Sequence, residues 1–154
     1  MTTYDHASEP RLFLPSLTSF YDVVVPLHWP IIRLAVGLIM LAHGVGHIPP
    51  DAFAKWSASL VARGYLPAPE FAYGLVFIET VGAVCVALGL FTRFFAAALA
   101  IELGVLAFQE FWPNGFNWNN KGFEYALMWG SVMFAIALRG GGPWSIDRKI
   151  GKEL

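Results

Sequence analysis

Four apolar stretches, each close to the ~20 residues an α-helix needs to cross a hydrocarbon core, leave this chain few folds to choose from. They run over about 29–48 (WPIIRLAVGLIMLAHGVGHI), 70–90 (EFAYGLVFIETVGAVCVALGL), 93–112 (RFFAAALAIELGVLAFQEFW) and 122–139 (GFEYALMWGSVMFAIALR), the last being the shortest. Lipid offers backbone amides no partners, so such stretches fold as helices that satisfy themselves. Composition agrees: 56% of residues are hydrophobic and 14% charged, against about a quarter charged in ordinary soluble domains. The sequence therefore reads as all-α, an integral membrane four-helix bundle over 29–139. Pro30 suits a first helical turn and Pro49-Pro50 closes the first span.

The remaining segments read as accessories to that bundle. Residues 1–28 carry no charged start, short apolar core and small-residue cleavage site, so they are expected to be retained. Within them, 12–28 is broken by Pro15 and Pro26 and carries Tyr21, Asp22 and His28, which suggests an arm or a short helix at the interface rather than a span. Between the first two spans, Phe53, Trp56, Leu60 and Val61 recur at helical spacing with Lys55 and Arg63 interspersed, the pattern of a short amphipathic interfacial helix. Residues 113–121 (PNGFNWNNK) are dense in turn formers and are expected to fold over one mouth of the bundle, and 140–154 reads as a cytoplasmic tail.

Charge places the ends and excludes several functions. Four spans put both termini on one side, where Arg11, Arg93, Arg139, Arg148, Lys149 and Lys152 would lie, against Lys55, Arg63 and Lys121 opposite. The excess favours a multi-pass protein with both termini in the cytoplasm. A net charge of -1 and a pI near 6.4, without a basic stripe, speak against nucleic acid. Cys85 is the single cysteine, which excludes an internal disulfide and the paired-thiol chemistry of membrane thiol-disulfide exchangers.

Ionisable residues inside spans are costly and call for a reason. At about 1.5 Å of rise per residue, Glu79 and Glu102 reach mid-membrane from opposite directions, with His43 somewhat higher. His47, Glu110 and Glu124 gather near the outer face. Together they suggest a polar pocket opening outward, with His43 in its interior and His47 near water.

Each of these residues admits a chemical and a plain reading. His43 and His47 stand at i and i+4, the spacing two imidazoles need to share a metal ion, and a carboxylate from another helix could complete the site. The plainer reading is a metal-free network in which His43 bonds Glu79 or Glu102. Glu79 and Glu102 are proton-carrier candidates or helix-packing partners of Arg33 or a histidine. Glu110 is close enough to water for a solvated charge, and Arg33 is expected to snorkel to the cytoplasmic surface. The aromatics Tyr73, Phe77, Phe108, Trp112 and Trp129 could line a flat-ring ligand or simply face core and lipid. Glycines on all four spans, Gly37 and Gly44 among them, would let helices approach closely.

The order of these pieces resembles the DoxX/DoxD family of small four-helix membrane proteins. RLAVGLIMLAHGVGHI, the link ending in GYLPAP, IETVGAVCVALGLFTRFFAAALA, KGFEYALMWG and GGGPWSIDRKIG carry the resemblance over about residues 30–150. It implies a four-helix bundle in the cytoplasmic (inner) membrane, and in that family DoxD-type members are the small, quinone-linked subunit of thiosulfate:quinone oxidoreductase, while many others have no settled activity. By position it puts His43, Glu79 and Glu124 in the family's recurring polar places, with His47 and Glu102 as weaker correspondences. On this reading the chain is the membrane subunit of a redox system, with quinone as the cofactor candidate and a soluble or membrane oxidoreductase as partner. His43, Glu79 and Glu124 would be catalytic, and Trp112, Trp129, Phe77 and Glu102 would bind substrate. The alternatives are a scaffold or small-solute carrier, self-associated or not, and a metal-binding protein through His43, His47 and a carboxylate.

Overall fold

The computed structural model describes residues 12–154, and among them every regular element is helical. Eight α-helices follow one another: α1 (Thr18–Val24), α2 (His28–Gly46), α3 (Pro50–Ala62), α4 (Ala68–Phe77), α5 (Ala83–Leu88), α6 (Thr92–Val105), α7 (Glu124–Arg139) and α8 (Ile146–Ile150). Short 3-10 and π turns fuse several of these into longer rods. Three rods are long and apolar enough to cross a membrane: Pro15–Gly46, Pro69–Leu88 and Thr92–Asn114. Helix α7 has 16 residues and spans about 24 Å at helical rise, shorter than the other three.

The first rod differs from the arm expected over 12–28. Turns Pro15–Leu17 and Val25–Leu27 flank α1 and continue directly into α2, making one helix of 32 residues. Pro15 opens the rod, where its missing N–H is not called upon, and Pro26 stands in the 3-10 turn Val25–Leu27, which carries the helix past it. At about 1.5 Å per residue the rod is roughly 48 Å long, beyond the ~30 Å of a hydrocarbon core. None of its residues before His28 is buried. Residues 1–11 of the expected arm lie outside the described residues.

One core joins α2, α5, α6 and α7. Val36 and Met40 of α2 meet Ala83 and Val86 of α5, Phe95, Ala96, Leu99 and Leu103 of α6, and Met133 and Ile136 of α7. Helix α7 packs along α6, and α2 packs along α5 and the π turn before it. Small residues set the second contact. A Cβ on Gly37 would come within 2.7 Å of the Ala83 carbonyl oxygen, and one on Gly44 within 2.8 Å of the Glu79 backbone. These two glycines, seven apart on one face of α2, let the backbones touch.

The C-terminal segment is a folded cap at the end of the molecule away from α3. The Asp147 carboxylate accepts hydrogen bonds from Phe91 N (2.7 Å), Thr92 N (2.9 Å) and Thr92 Oγ1 (2.6 Å), and Asp147 N donates to Gly89 O at 2.8 Å. Ser145 Oγ caps α8 by accepting from Arg148 N. Arg93 donates to the carbonyls of Ala137, Leu138 and Arg139, satisfying orphan acceptors at the end of α7 with a cation suited to that pole. It also pairs with Glu153 at 2.9 Å. Trp29 Nε1 donates to Gly140 O, tying α2 into the same cap.

Arg33 does not snorkel. It is 2% exposed, donates from Nη2 to Trp144 O at 3.5 Å, and lies against the backbone of Gly89. Asp147 is within electrostatic reach, while Nε and Nη1 have no hydrogen-bond partner. The guanidinium stays inside because the cap closes over the route a flexible side chain would take to water.

Candidate functional site

Glu79 and Glu102 form the inner pole of the site. Glu79 sits in a π turn, Ile78–Gly82, that interrupts the second rod between α4 and α5. Such single-turn widenings cluster at functional sites because the extra residue redirects side chains. Here the turn buries Glu79 to 6% exposure, and the absent side chain of Gly44 lets α2 lie directly against it. From α6, Glu102 reaches the same place, within electrostatic reach of the Glu79 carboxyl group. Their Oε2 atoms are buried without a partner, leaving polar capacity aimed into the space beside them.

That space is a cavity of about 1030 Å³. His43 and His47 line it from α2, Trp56 and Leu60 from α3, Leu75 from α4, Leu106 and Gln109 from the third rod, and Tyr125 and Trp129 from α7. Its lining is predominantly apolar, with few polar groups at its two ends, the character of a small-molecule site.

A second polar cluster closes the far end. Glu110 stands in another π turn, Leu106–Phe111. Its carboxylate accepts from Tyr65 Oη at 2.9 Å and from Arg63 Nη1 at 3.1 Å, and Arg63 Nη2 donates to Ser59 Oγ at 2.7 Å. Burial, and then the hydrogen bond to Glu110, push the Tyr65 phenol above its ordinary value. His47 stacks on Trp56 with ring centroids 4.1 Å apart. Trp118, Lys121 and Gly122 of the loop after the third rod complete this rim. The turn-rich segment thus folds over the mouth, held by its own turns and by Asn117 Oδ1 accepting from Asn119 N.

Of the residues singled out from sequence, His43, His47, Glu79, Glu102 and Trp129 line the one cavity, and so does Glu110. His43 lines the cavity as an exposed side chain, and His47 is half-buried under Trp56. Glu124, Trp112 and Phe77 lie outside the lining. Glu124 accepts from Trp118 N at 3.3 Å and so orders the loop. Trp112 stacks on Phe123 with centroids 4.5 Å apart, and Phe77 leans on Phe95. Among the described residues no three His, Cys, Asp or Glu side chains gather closely enough to hold a metal ion, which leaves His43 and His47 without a third ligand.

Tyr65, Arg63, Trp56 and Gln109 were not anticipated as site residues. A signal for one of them existed. Counting spans puts Arg63 and Glu110 at the same face of the membrane, and opposite charges at one face of a small bundle are natural partners. Tyr65 and Gln109 give no such hint, because their places depend on the link after α3 and on the second π turn.

No curated protein matches the chain, and no solved structure does. Residues 28–111 match the family described as DoxX, a stretch that includes the acid pair, His43 and the Tyr65–Glu110 cluster. With more than half of its 154 residues covered by that match and three rods able to cross a bilayer, the chain is a membrane protein belonging to the DoxX family.

Proposed function

We propose that the cavity binds the ring head of a lipid-soluble quinone and exchanges protons with it, so that the chain serves as the membrane subunit of a redox system. The observation that carries this reading is the adjoining carboxyl pair Glu79 and Glu102, each with a buried Oε2 that has no partner, at the inner pole of an otherwise apolar cavity. Reduction of a quinone takes two electrons and two protons. The electrons come from a redox partner outside this chain, and the protons must reach two ring oxygens in a place without bulk water. The unpartnered Oε2 atoms fit that task, since either carboxyl can donate when protonated and accept when ionised. His43, open to the cavity, supplies a hydrogen bond to a ring oxygen, and Trp129 gives a flat face against the ring. Glu124 falls to a supporting role as orderer of the rim.

In this reading α7 is a fourth span, short but sufficient with local thinning of the bilayer, and the four spans form a membrane bundle. Helix α3 lies at the outer interface with Trp56 and Leu60 turned toward the cavity. The cap carrying Arg93, Arg139, Arg148, Lys149 and Lys152 is cytoplasmic, and the cavity end with Arg63 and Lys121 faces outward.

The test pairs turnover with stability. Glu79→Gln and Glu102→Gln are expected to lower quinone-dependent electron transfer with the partner by about 100-fold, the scale of a lost proton-transfer group, while thermal unfolding in detergent moves by only a few degrees. A scaffold or carrier would give the reverse pattern, with stability falling and no redox turnover to lose.

A further inference from the structure

The cavity's water-side mouth is covered by Trp118, Lys121 and the bonded cluster of Tyr65, Arg63 and Glu110, yet its flank is open. Helix α6 packs along α5 and the π turn but makes no comparable contact with α4, so the two rods diverge from the level of Glu79 outward. The cleft between them is faced by two apolar stripes at helical spacing, Phe71 and Leu75 on α4 with Ile78 at the start of the π turn, and Ala98, Ile101 and Val105 on α6, all lining the cavity. Ile101 lines the cavity and is still 69% exposed, which places it at an opening. Both stripes lie within candidate spans, Pro69–Leu88 and Thr92–Asn114, so what lies outside the opening is hydrocarbon. Ile78 and Ile101 each precede a member of the acid pair, which puts the threshold beside the inner pole.

We infer that the α4–α6 cleft is a lateral doorway from the bilayer, through which the substrate enters and in which the hydrocarbon tail of a lipid-soluble quinone remains while its head lies at Glu79 and Glu102. This rests on the quinone reading of the same cavity. A tail in the cleft keeps its apolar surface away from water and leaves the head alone to meet the polar groups. Tail length, then, is selected by the cleft, and head chemistry by the acid pair.

The experiment uses the full chain in phosphatidylcholine nanodiscs, titrated calorimetrically with a decyl-tailed benzoquinone and with the same ring lacking a tail. Wild type is expected to bind the tailed form at least ~10-fold more tightly, given the methylene surface it buries. Ile101→Trp, which fills the threshold at an exposed position, is expected to abolish most of that preference and to leave the tail-less ring within about twofold. Equal loss for both rings, or no loss for either, overturns the doorway.

A second measurement needs no quinone. Phosphatidylcholine carrying a diazirine near the end of one acyl chain is photolysed around the same protein, and labelled residues are mapped by mass spectrometry. Label on Glu102 that disappears in Ile101→Trp supports lateral entry, and label confined to exposed residues away from the cleft, such as Phe94 and Leu138, overturns it. If neither quinone binds wild type but Glu102 is labelled, the doorway stands and the quinone reading fails.

Discussion

Asp147 is where a single side chain holds most of one end of this molecule together. Its carboxylate takes three hydrogen bonds from the turn into α6 and is 1% exposed, and its charge stands near the buried Arg33 guanidinium. Removing one member of such an arrangement leaves a buried charge without compensation, which costs about 3–5 kcal/mol. Asp147→Ala should therefore destabilise the protein by about 3 kcal/mol in detergent unfolding. Arg33→Met combined with Asp147→Ala should recover part of that loss, because the cation goes as well. Additive losses in the double variant would show that the two groups do not interact. Sequence reveals an arginine one turn into a span but not its fate. Burial of Arg33 depends on Trp144, Ser145 and Asp147 folding back from more than a hundred residues away.

At the scale of elements, the two π turns, and Gly44 opposite the first of them, decide where the carboxylates point. Glu79 and Glu110 both lie in such turns, and Gly44 is the residue that lets α2 rest on the first. Gly44→Ala would drive a Cβ to 2.8 Å from the Glu79 backbone, forcing the rods apart at a cost of about 1–3 kcal/mol, and quinone binding should weaken with it. Gly46→Ala meets nothing within 4 Å and should be close to neutral in both measurements; equal effects at the two sites would remove the close contact as the cause.

The spans themselves are legible in the sequence because hydropathy and length dictate them, and the observed Pro69–Leu88 and Thr92–Asn114 fall within a few residues of the expected limits. The π turns are not legible. An extra residue in one turn leaves composition and periodicity almost unchanged. The fusion of 15–27 to the first span was hidden for another reason: a proline signals a break unless its neighbours form a tighter turn, and Pro26 does so at Val25–Leu27.

For the whole molecule, the described residues divide into a sealed end and an open one. The cap, Arg33 and the tight α2–α5 contact seal the first. The divergence of α4 from α6 opens the second into a cavity of about 1030 Å³. His43, Glu79 and Glu102 could be found from sequence because a polar group in a span is conspicuous. That Glu124, Trp112 and Phe77 stand aside could not, since it follows from helix rotation and from the hold of Glu124 on Trp118 N. The central claim is that Glu79 and Glu102 exchange a proton with a bound quinone. Infrared difference spectroscopy on adding a decyl-tailed benzoquinone reads that proton directly through the carbonyl stretch of a protonated carboxyl group. A shift of that band in wild type, lost in both Glu79→Gln and Glu102→Gln, is the expected result; a quinone that binds without disturbing any carboxyl band, or with the band unchanged in both variants, would contradict it.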